Sequence, residues 1–495
     1  MTFHRWIASS LLLGLIGANH ADAQDEFTPR LAAILEATPG AARAHWGVQV
    51  VQVETGTVVA QLNPQRYFVP ASNLKLYSSA LALLRLGPEY RFSTSIRRDR
   101  NGDLRLVGGG DPSMSARAYP YAKGPDPGQP LAAIEAMADA LVAQGLKEVP
   151  GDIVGDDSRW VHAPYPEGWA VDDTLYESGA PVGALTLNDN TLEVKITPGA
   201  ATGDLARLTW LPALEYFSID NRVRTEPGER QLEIYRDGPG QLRLVGRIAP
   251  GSAGRTVTVA QDDPAQFAAA ALYEALTRRG VVIRGRAVAR HLASASPREP
   301  ANPGSDEGQL LWQRQSPPLS ELLGVLDKVS QNLHAEMILR EVAWQTTGDG
   351  SLRTGLEELK KLLAEIGIEP DGYDIRDGSG LSRMSLVTPD ATVKLLRHLH
   401  QSPHRDLWLS VLPVGGVDGT LENRFKSKSL TAAERTRGEL VRAKTGSLAH
   451  INTLAGYIES QTYGRLAMAI MANASQVPSA EIRATIDKLC VELSK

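Results

Sequence analysis

A serine and a lysine three residues apart, at the head of an apolar run, are the first residues in this chain that could do chemistry. Ser72-Asn73-Leu74-Lys75 is the sole Ser-x-x-Lys among 495 residues. The run from Ala71 to Leu84 predicts a helix that Gly87-Pro88 ends. A spacing of three, at about 100° per residue, puts Ser72 and Lys75 on one face, a turn apart. A serine hydroxyl becomes a nucleophile when a base takes its proton, and a lysine held neutral by its surroundings can be that base. Unpartnered N–H groups at a helix start suit an oxyanion forming beside Ser72. Alone, the pattern reads more simply as a helix-capping serine beside a solvated lysine.

Two later motifs change that reading. Ser330-Gln331-Asn332 lies between predicted helices at 319–329 and 333–344, and Lys444-Thr445-Gly446-Ser447 lies on a predicted strand at 443–447. Acyl transfer from a peptide needs a nucleophile, a base, a proton donor for the leaving amine and donors for the oxyanion. Ser72 and Lys75 fill the first two roles. Ser330 can pass a proton toward the leaving nitrogen, and the Asn332 amide can hold a substrate carbonyl. Lys444 favours a substrate ending in a carboxylate, which the hydroxyls of Thr445 and Ser447 can bind. Gly446 would let the substrate backbone lie against the strand, and the N–H groups of Ser72 and Ser447 would form the oxyanion hole.

The elements that must position these residues come from both ends of the chain. Strands are predicted at 46–53 and 57–62, then at 443–447, 454–459 and 465–473. Helices at 351–366, 389–401 and 479–494 complete one α/β (α+β) domain. Between about 92 and 290 the texture changes. It shows an Asn101-Gly102 hairpin, a helix at 131–144, a strand at 151–155 and a helix capped by Asp263 with Pro264 at its first position. Residues 185–258 alternate apolar and polar residues over short stretches, which suggests a nested β-rich module. Residues 293–308 read as a flexible linker. The expected division is therefore 24–91 with 291–495, an inserted domain of 92–184 with 259–290, and a nested domain at 185–258.

Residues 1–23 read as an export signal: His4 and Arg5, an apolar core, then Ala21-Asp22-Ala23 as a cleavage site. The expectation is a protein soluble outside the cytoplasm, with no integral membrane segment once the signal is removed. A net charge of −5 without a basic block argues against nucleic acid as a partner. The single cysteine, Cys490, excludes an intrachain disulfide and reads as a small buried hydrophobe. His398 and His400 point to different faces of their helix, so no metal site is expected there, and no cofactor is expected.

The ordered set Ser-x-x-Lys, Ser-x-Asn, Lys-Thr-Gly resembles that of penicillin-binding proteins and related β-lactamases. The long gap between Ser72 and Ser330 is larger than compact β-lactamases allow. With it the chain resembles the class C, low-molecular-mass penicillin-binding proteins, the D-alanyl-D-alanine carboxypeptidase/endopeptidase family. Similar stretches are Gly108-Gly109-Gly110-Asp111-Pro112-Ser113, Gly179-Ala180-Pro181-Val182, Leu187-Asn188-Asp189-Asn190, the segment from Asp377 to Arg383, and the segment from Leu412 to Thr420. Gln331 stands where an aspartate is common, and Ser447 where a threonine is usual.

The resemblance implies a transpeptidase/β-lactamase-like domain, an antiparallel sheet flanked by helices, with the large insertion carrying its nested module. It implies a periplasmic serine D,D-peptidase that acts on peptidoglycan stem peptides and is acylated by β-lactam antibiotics. It also implies that Asp156 and Arg383 hold the amino and carboxylate groups of the stem peptide's diamino acid. A β-lactamase or esterase using the same serine, and a wall-binding scaffold with weak activity, are the alternatives. The balance of carboxypeptidase and endopeptidase action stays open.

Overall fold

The computed structural model describes residues 22–38, 40–124, 128–293, 308–427 and 430–495. Residues 1–21 of the expected export signal and 294–307 of the expected linker lie outside that description.

Strands from both ends of the chain form one antiparallel five-stranded sheet. Its order is Val441–Leu448, Ile451–Ser460, Gly464–Asn473, His45–Gln52 and Val58–Leu62. The central strand Gly464–Asn473 shows why it lies inside. Alternate side chains point to opposite faces, and both of its sets are apolar. Leu466, Met468, Ile470 and Ala472 pack with Phe27 and Ile486, residues of the helices Asp22–Glu36 and Ser479–Leu493. Ala467, Ala469 and Met471 face a second core with Leu76, Leu326, Ile338 and Leu396. Those four belong to the helices Lys75–Leu86, Leu319–Val329, Asn332–Thr347 and Pro389–Gln401. Cys490 is fully buried in the first core, as the sequence suggests, and burial pushes its thiol up.

The chain leaves this unit after the Ser72 helix and builds a second five-stranded sheet. Its order is Ala287–Leu292, Ile153–Val161, Leu104–Val107, Ser93–Arg98 and Gln309–Gln315. The Asn101-Gly102 turn joins two of these strands, with Gly102 at φ 90° as that turn requires. Gln309–Gln315 pairs antiparallel with Ser93–Arg98, so residues beyond the expected boundary at 291 also belong to this sheet. Six further strands between Thr191 and Ala260 form two three-stranded sheets. Their apolar residues share one continuous core with the helices Ala132–Ala143 and Pro264–Arg278. The nested β-rich segment thus packs as part of the insertion rather than around a core of its own. Among the described residues no helix is long and apolar enough to cross a membrane.

Candidate active site

Ser72 sits in a tight 3-10 turn, Ala71–Leu74, that runs into the α-helix Lys75–Leu86. The expected single helix is therefore two pieces. The Lys75 N–H bonds back to the Ser72 carbonyl, the three-residue reach of a tighter turn. Ala71 has φ 48°, a left-handed conformation that an alanine rarely adopts. Such strain persists only where surrounding contacts fix it, and here Gly380 packs on the turn so closely that a Cβ on it would fall 1.9 Å from Ala71 O.

Lys75 is fully buried. Its Nζ donates to Ser72 Oγ at 2.9 Å, to Asn332 Oδ1 at 2.5 Å and to the Ser379 carbonyl at 2.7 Å. Burial lowers its pKa well below that of a free lysine, and the charge of Lys444 lowers it further. Both effects favour the neutral amine that a general base must be.

Ser330 ends the helix Leu319–Val329 in a left-handed conformation, φ 66°. Asn332 begins the next helix, Asn332–Thr347, and its Nδ2 donates to the Ser178 carbonyl from the insertion. Lys444, also fully buried, donates to Ser330 Oγ at 2.7 Å and to the Thr445 carbonyl at 3.0 Å. Burial lowers Lys444 as well, and it raises the neighbouring Asp327 carboxyl. Thr445 Oγ1 bonds Thr420 Oγ1 at 2.8 Å, and Ser447 is exposed on the same strand. That strand is an edge of the sheet. The Ala443 N–H points away from the sheet to the Pro413 carbonyl, so by alternation the Thr445 and Ser447 N–H groups project from the same edge.

Two expectations need correction. Gly446 does not clear room for substrate on the open side. A Cβ there would lie 2.6 Å from Pro70 O, 2.2 Å from Thr453 Oγ1 and 3.1 Å from Asn73 N. The missing side chain lets the strand press against the turn that carries Ser72. Asp156, expected to hold a substrate group alongside Arg383, has its own protein partners. It is buried at 2% exposure in the second sheet, where Arg105 Nη1 and the Ser158 backbone and hydroxyl occupy its oxygens. Arg383 instead pairs with Asp173 at 2.8 Å, from the short 3-10 turn Asp173–Leu175 of the insertion.

Several contributors went unread in the sequence. Glu336 lies one turn after Asn332, and its Oε1 accepts the N–H groups of Gly378 and Ser379, fixing the carbonyl that holds Lys75. Burial raises Glu336 to about 7. Asp377 accepts from Ser379 Oγ, Ser382 N, Gly380 N and Ser385 Oγ, and so shapes the loop ending at Arg383. The i, i+4 spacing of Asn332 and Glu336 was the available signal for the first. A cavity of about 760 Å³ opens beside Ser330 and Asn332, with Arg117, Glu177 and Asp189 of the insertion in its wall.

Known proteins are similar to this chain over most of its length. A family profile described as the D-Ala-D-Ala carboxypeptidase 3 (S13) family matches residues 28–493. A D-alanyl-D-alanine carboxypeptidase of Actinomadura sp. (strain R39) is 31% identical over 493 residues, covering 95% of this chain and 85% of that protein. The D-alanyl-D-alanine carboxypeptidase DacB of Haemophilus influenzae is 24% identical over 414 residues, 82% of this chain and 80% of its own length. The crystal structure of penicillin binding protein 4 from Haemophilus influenzae superposes with a TM-score of 0.78 at 23% identity, covering 94% of this chain and 99% of that one. That protein has also been solved with a novel β-lactam.

Proposed function

The chain belongs to the D-Ala-D-Ala carboxypeptidase 3 (S13) family, and we propose that Ser72, Lys75, Ser330, Asn332 and Lys444 are the residues through which it performs the family's acyl transfer. It is a penicillin-binding serine D,D-peptidase of the bacterial cell wall. The observation that carries the residue assignment is the position of Lys75 Nζ, within hydrogen-bond reach of both Ser72 Oγ and Asn332 Oδ1.

Neutral Lys75 takes the Ser72 proton as Oγ attacks the carbonyl carbon of the penultimate D-Ala. The negative charge on the carbonyl oxygen is met by the N–H groups of Ser72 and Ser447. The peptide C–N bond then breaks, and its nitrogen receives a proton through Ser330 Oγ, which Lys444 orients at 2.7 Å. Water attacks the resulting ester, its proton passes to Lys75, and Ser72 is released. Lys444, with the hydroxyls of Thr445 and Ser447, favours a terminal carboxylate. Asn332 Nδ2 is free to leave Ser178 for a substrate carbonyl.

Arg383 with Asp173, in place of Asp156, offers one positive and one negative group to the diamino acid of a peptidoglycan stem peptide. The β-lactam complex of the Haemophilus protein supports β-lactams as acylating ligands of Ser72 here. The predicted signal at 1–23 supports a periplasmic location. Incubation with a D-Ala-D-Ala pentapeptide should release D-Ala. A Ser72→Ala protein that still bound fluorescent penicillin covalently would overturn the nucleophile assignment.

A further inference from the structure

The second sheet carries a cluster of different chemistry. Ile153–Val161 runs parallel to Ala287–Leu292, with Arg290 opposite Asp156 and Leu292 opposite Val161. A single residue, His291, therefore faces the stretch from Asp157 to Trp160, and this irregularity pushes Asp157 out of the ladder beside it. His162 follows at the strand's end, its N–H on the Leu292 carbonyl at 2.9 Å. Asp157, His162 and His291 thereby each place one ligand atom within 4.8 Å of the other two.

One of the distances is a hydrogen bond and the other is near the spacing of two ligands on one metal. Nδ1 of His291 lies 2.8 Å from Asp157 Oδ1, and Nδ1 of His162 lies 3.7 Å from Asp157 Oδ2. The His162 nitrogen is shielded from solvent and has no hydrogen-bond partner. Its separation from Asp157 is too long for a hydrogen bond. It is close to the roughly 3.3–3.6 Å between two ligands of one tetrahedral zinc with bonds of about 2.0–2.2 Å. Two imidazoles and a carboxylate form a common three-ligand set that leaves a fourth position to water. The two rings are only partly buried, at 33% and 27% side-chain exposure.

Asp263 supplies the outer support such sites use. One of its oxygens is 3.3 Å from His291 Nε2, and the other caps the helix Pro264–Arg278 through Gln266 N at 3.0 Å. A carboxylate on the far nitrogen fixes the proton there, so Nδ1 can exchange its contact with Asp157 for a metal. The irregular stretch also grips the catalytic unit. Arg159 makes a two-pronged pair with Glu341, at 3.0 and 2.7 Å, and Trp160 packs on Leu333 and Met337. All three partners are on the helix that Asn332 begins.

We propose that Asp157, His162 and His291 bind one zinc-class divalent cation, which braces the insertion where it holds the Asn332 helix. No short motif announces the set, because His291 stands 134 positions from Asp157. The test uses the mature, untagged protein, stripped with a chelator and titrated with Zn²⁺ alone by calorimetry, then with Co²⁺ by visible absorption. The proposal expects one equivalent of Zn²⁺, a four-coordinate Co²⁺ spectrum and a melting temperature raised by Zn²⁺. His162→Gln and His291→Gln should abolish all three, Asp263→Asn should weaken binding by about 10–100-fold, and His398→Gln should change nothing. Labelling of Ser72 by fluorescent penicillin verifies that each variant is folded. Binding well below one equivalent, or folded His162 and His291 variants that bind as the parent does, would overturn it, leaving His291 as an ion pair between two aspartates.

Discussion

Lys75 and Asn332, 257 positions apart in the chain, meet with 2.5 Å between Nζ and Oδ1. The same Nζ touches Ser72, so the second motif bears on the protonation state of the proposed base in the first. Asn332→Asp puts a carboxylate where a neutral amide stands, and an opposite charge at this range favours protonated Lys75. The acid limb of Ser72 acylation should move up by about 1–3 pH units. Stopped-flow acylation by a chromogenic β-lactam across pH measures it, and an unmoved limb would refute the coupling.

The pH profile of the parent enzyme follows from two lysines with opposite duties. Lys75 must be neutral, and burial with the nearby Lys444 lowers its pKa, so activity should rise with pH at values where a free lysine is still charged. Lys444 must stay charged, and burial lowers it too, so carboxylate-ended substrates should lose kcat/KM as pH climbs through that lowered value. The result is a bell with both limbs below the ordinary lysine range. An amidated substrate should lack much of the alkaline limb.

Gly446→Ala should separate packing from chemistry. The added methyl group meets Pro70 O and Thr453 Oγ1, which pushes the strand from the Ser72 turn. A cost of about 1–3 kcal/mol in stability is expected, together with a fall in acylation of at least tenfold. Ser447→Thr keeps the hydroxyl and should retain activity. Urea denaturation and penicillin labelling report the two effects separately.

Asp189 lies between Arg117 Nε and His334 Nε2, the latter at 3.2 Å, and ties the insertion to the Asn332 helix. Burial alone would raise its pKa, but these partners outweigh that and hold it at about 2. Its contribution is therefore present above the ordinary carboxylate range and lost as pH falls toward 2. Asp189→Ala removes the acceptor of buried His334 Nε2 while Arg117 keeps Glu177, and should cost about 1–3 kcal/mol. Denaturant midpoints at pH 7 and pH 3 check this, since the gap between parent and variant should narrow at the lower pH.

Arg383→Ala should raise KM for stem peptides carrying a free diamino acid and leave simple D-Ala-D-Ala esters nearly unaffected. Asp156→Asn should lower the melting temperature through the lost Arg105 pair and leave that selectivity intact. Steady-state kinetics with the two substrate classes distinguishes them. A selectivity change in Asp156→Asn would restore Asp156 as a residue that holds the diamino acid.

Some parts of this site were legible in sequence for local reasons. The helix ends at Gly87, where a positive φ closes it, and Thr388 caps Pro389–Gln401 through Ala391 N. Both signals act over a few residues, and neighbours further away do not change them. Gly446 misled because a glycine on a strand shows that a side chain would not fit, without showing which neighbour excludes it. The role that the resemblance implies for Asp156 carries no record of Arg105, which lies on the adjacent strand and takes one of its oxygens.

The sequence by itself determined which groups are available for the proposed chemistry. Three short motifs, in order and on recognisable elements, offer a nucleophile, a base, a proton relay and a carboxylate-binding cation, because each proposed role needs a particular functional group. Tertiary structure decided which groups share an environment. Burial of Lys75 beside Lys444, the clamp of Glu336 on the Ser379 loop, the choice of Asp173 for Arg383 and the meeting of Asp157 with His291 all depend on long-range packing. Desolvation and Coulomb interactions act through space, with ranges of a few ångströms, and sequence distance carries no record of them.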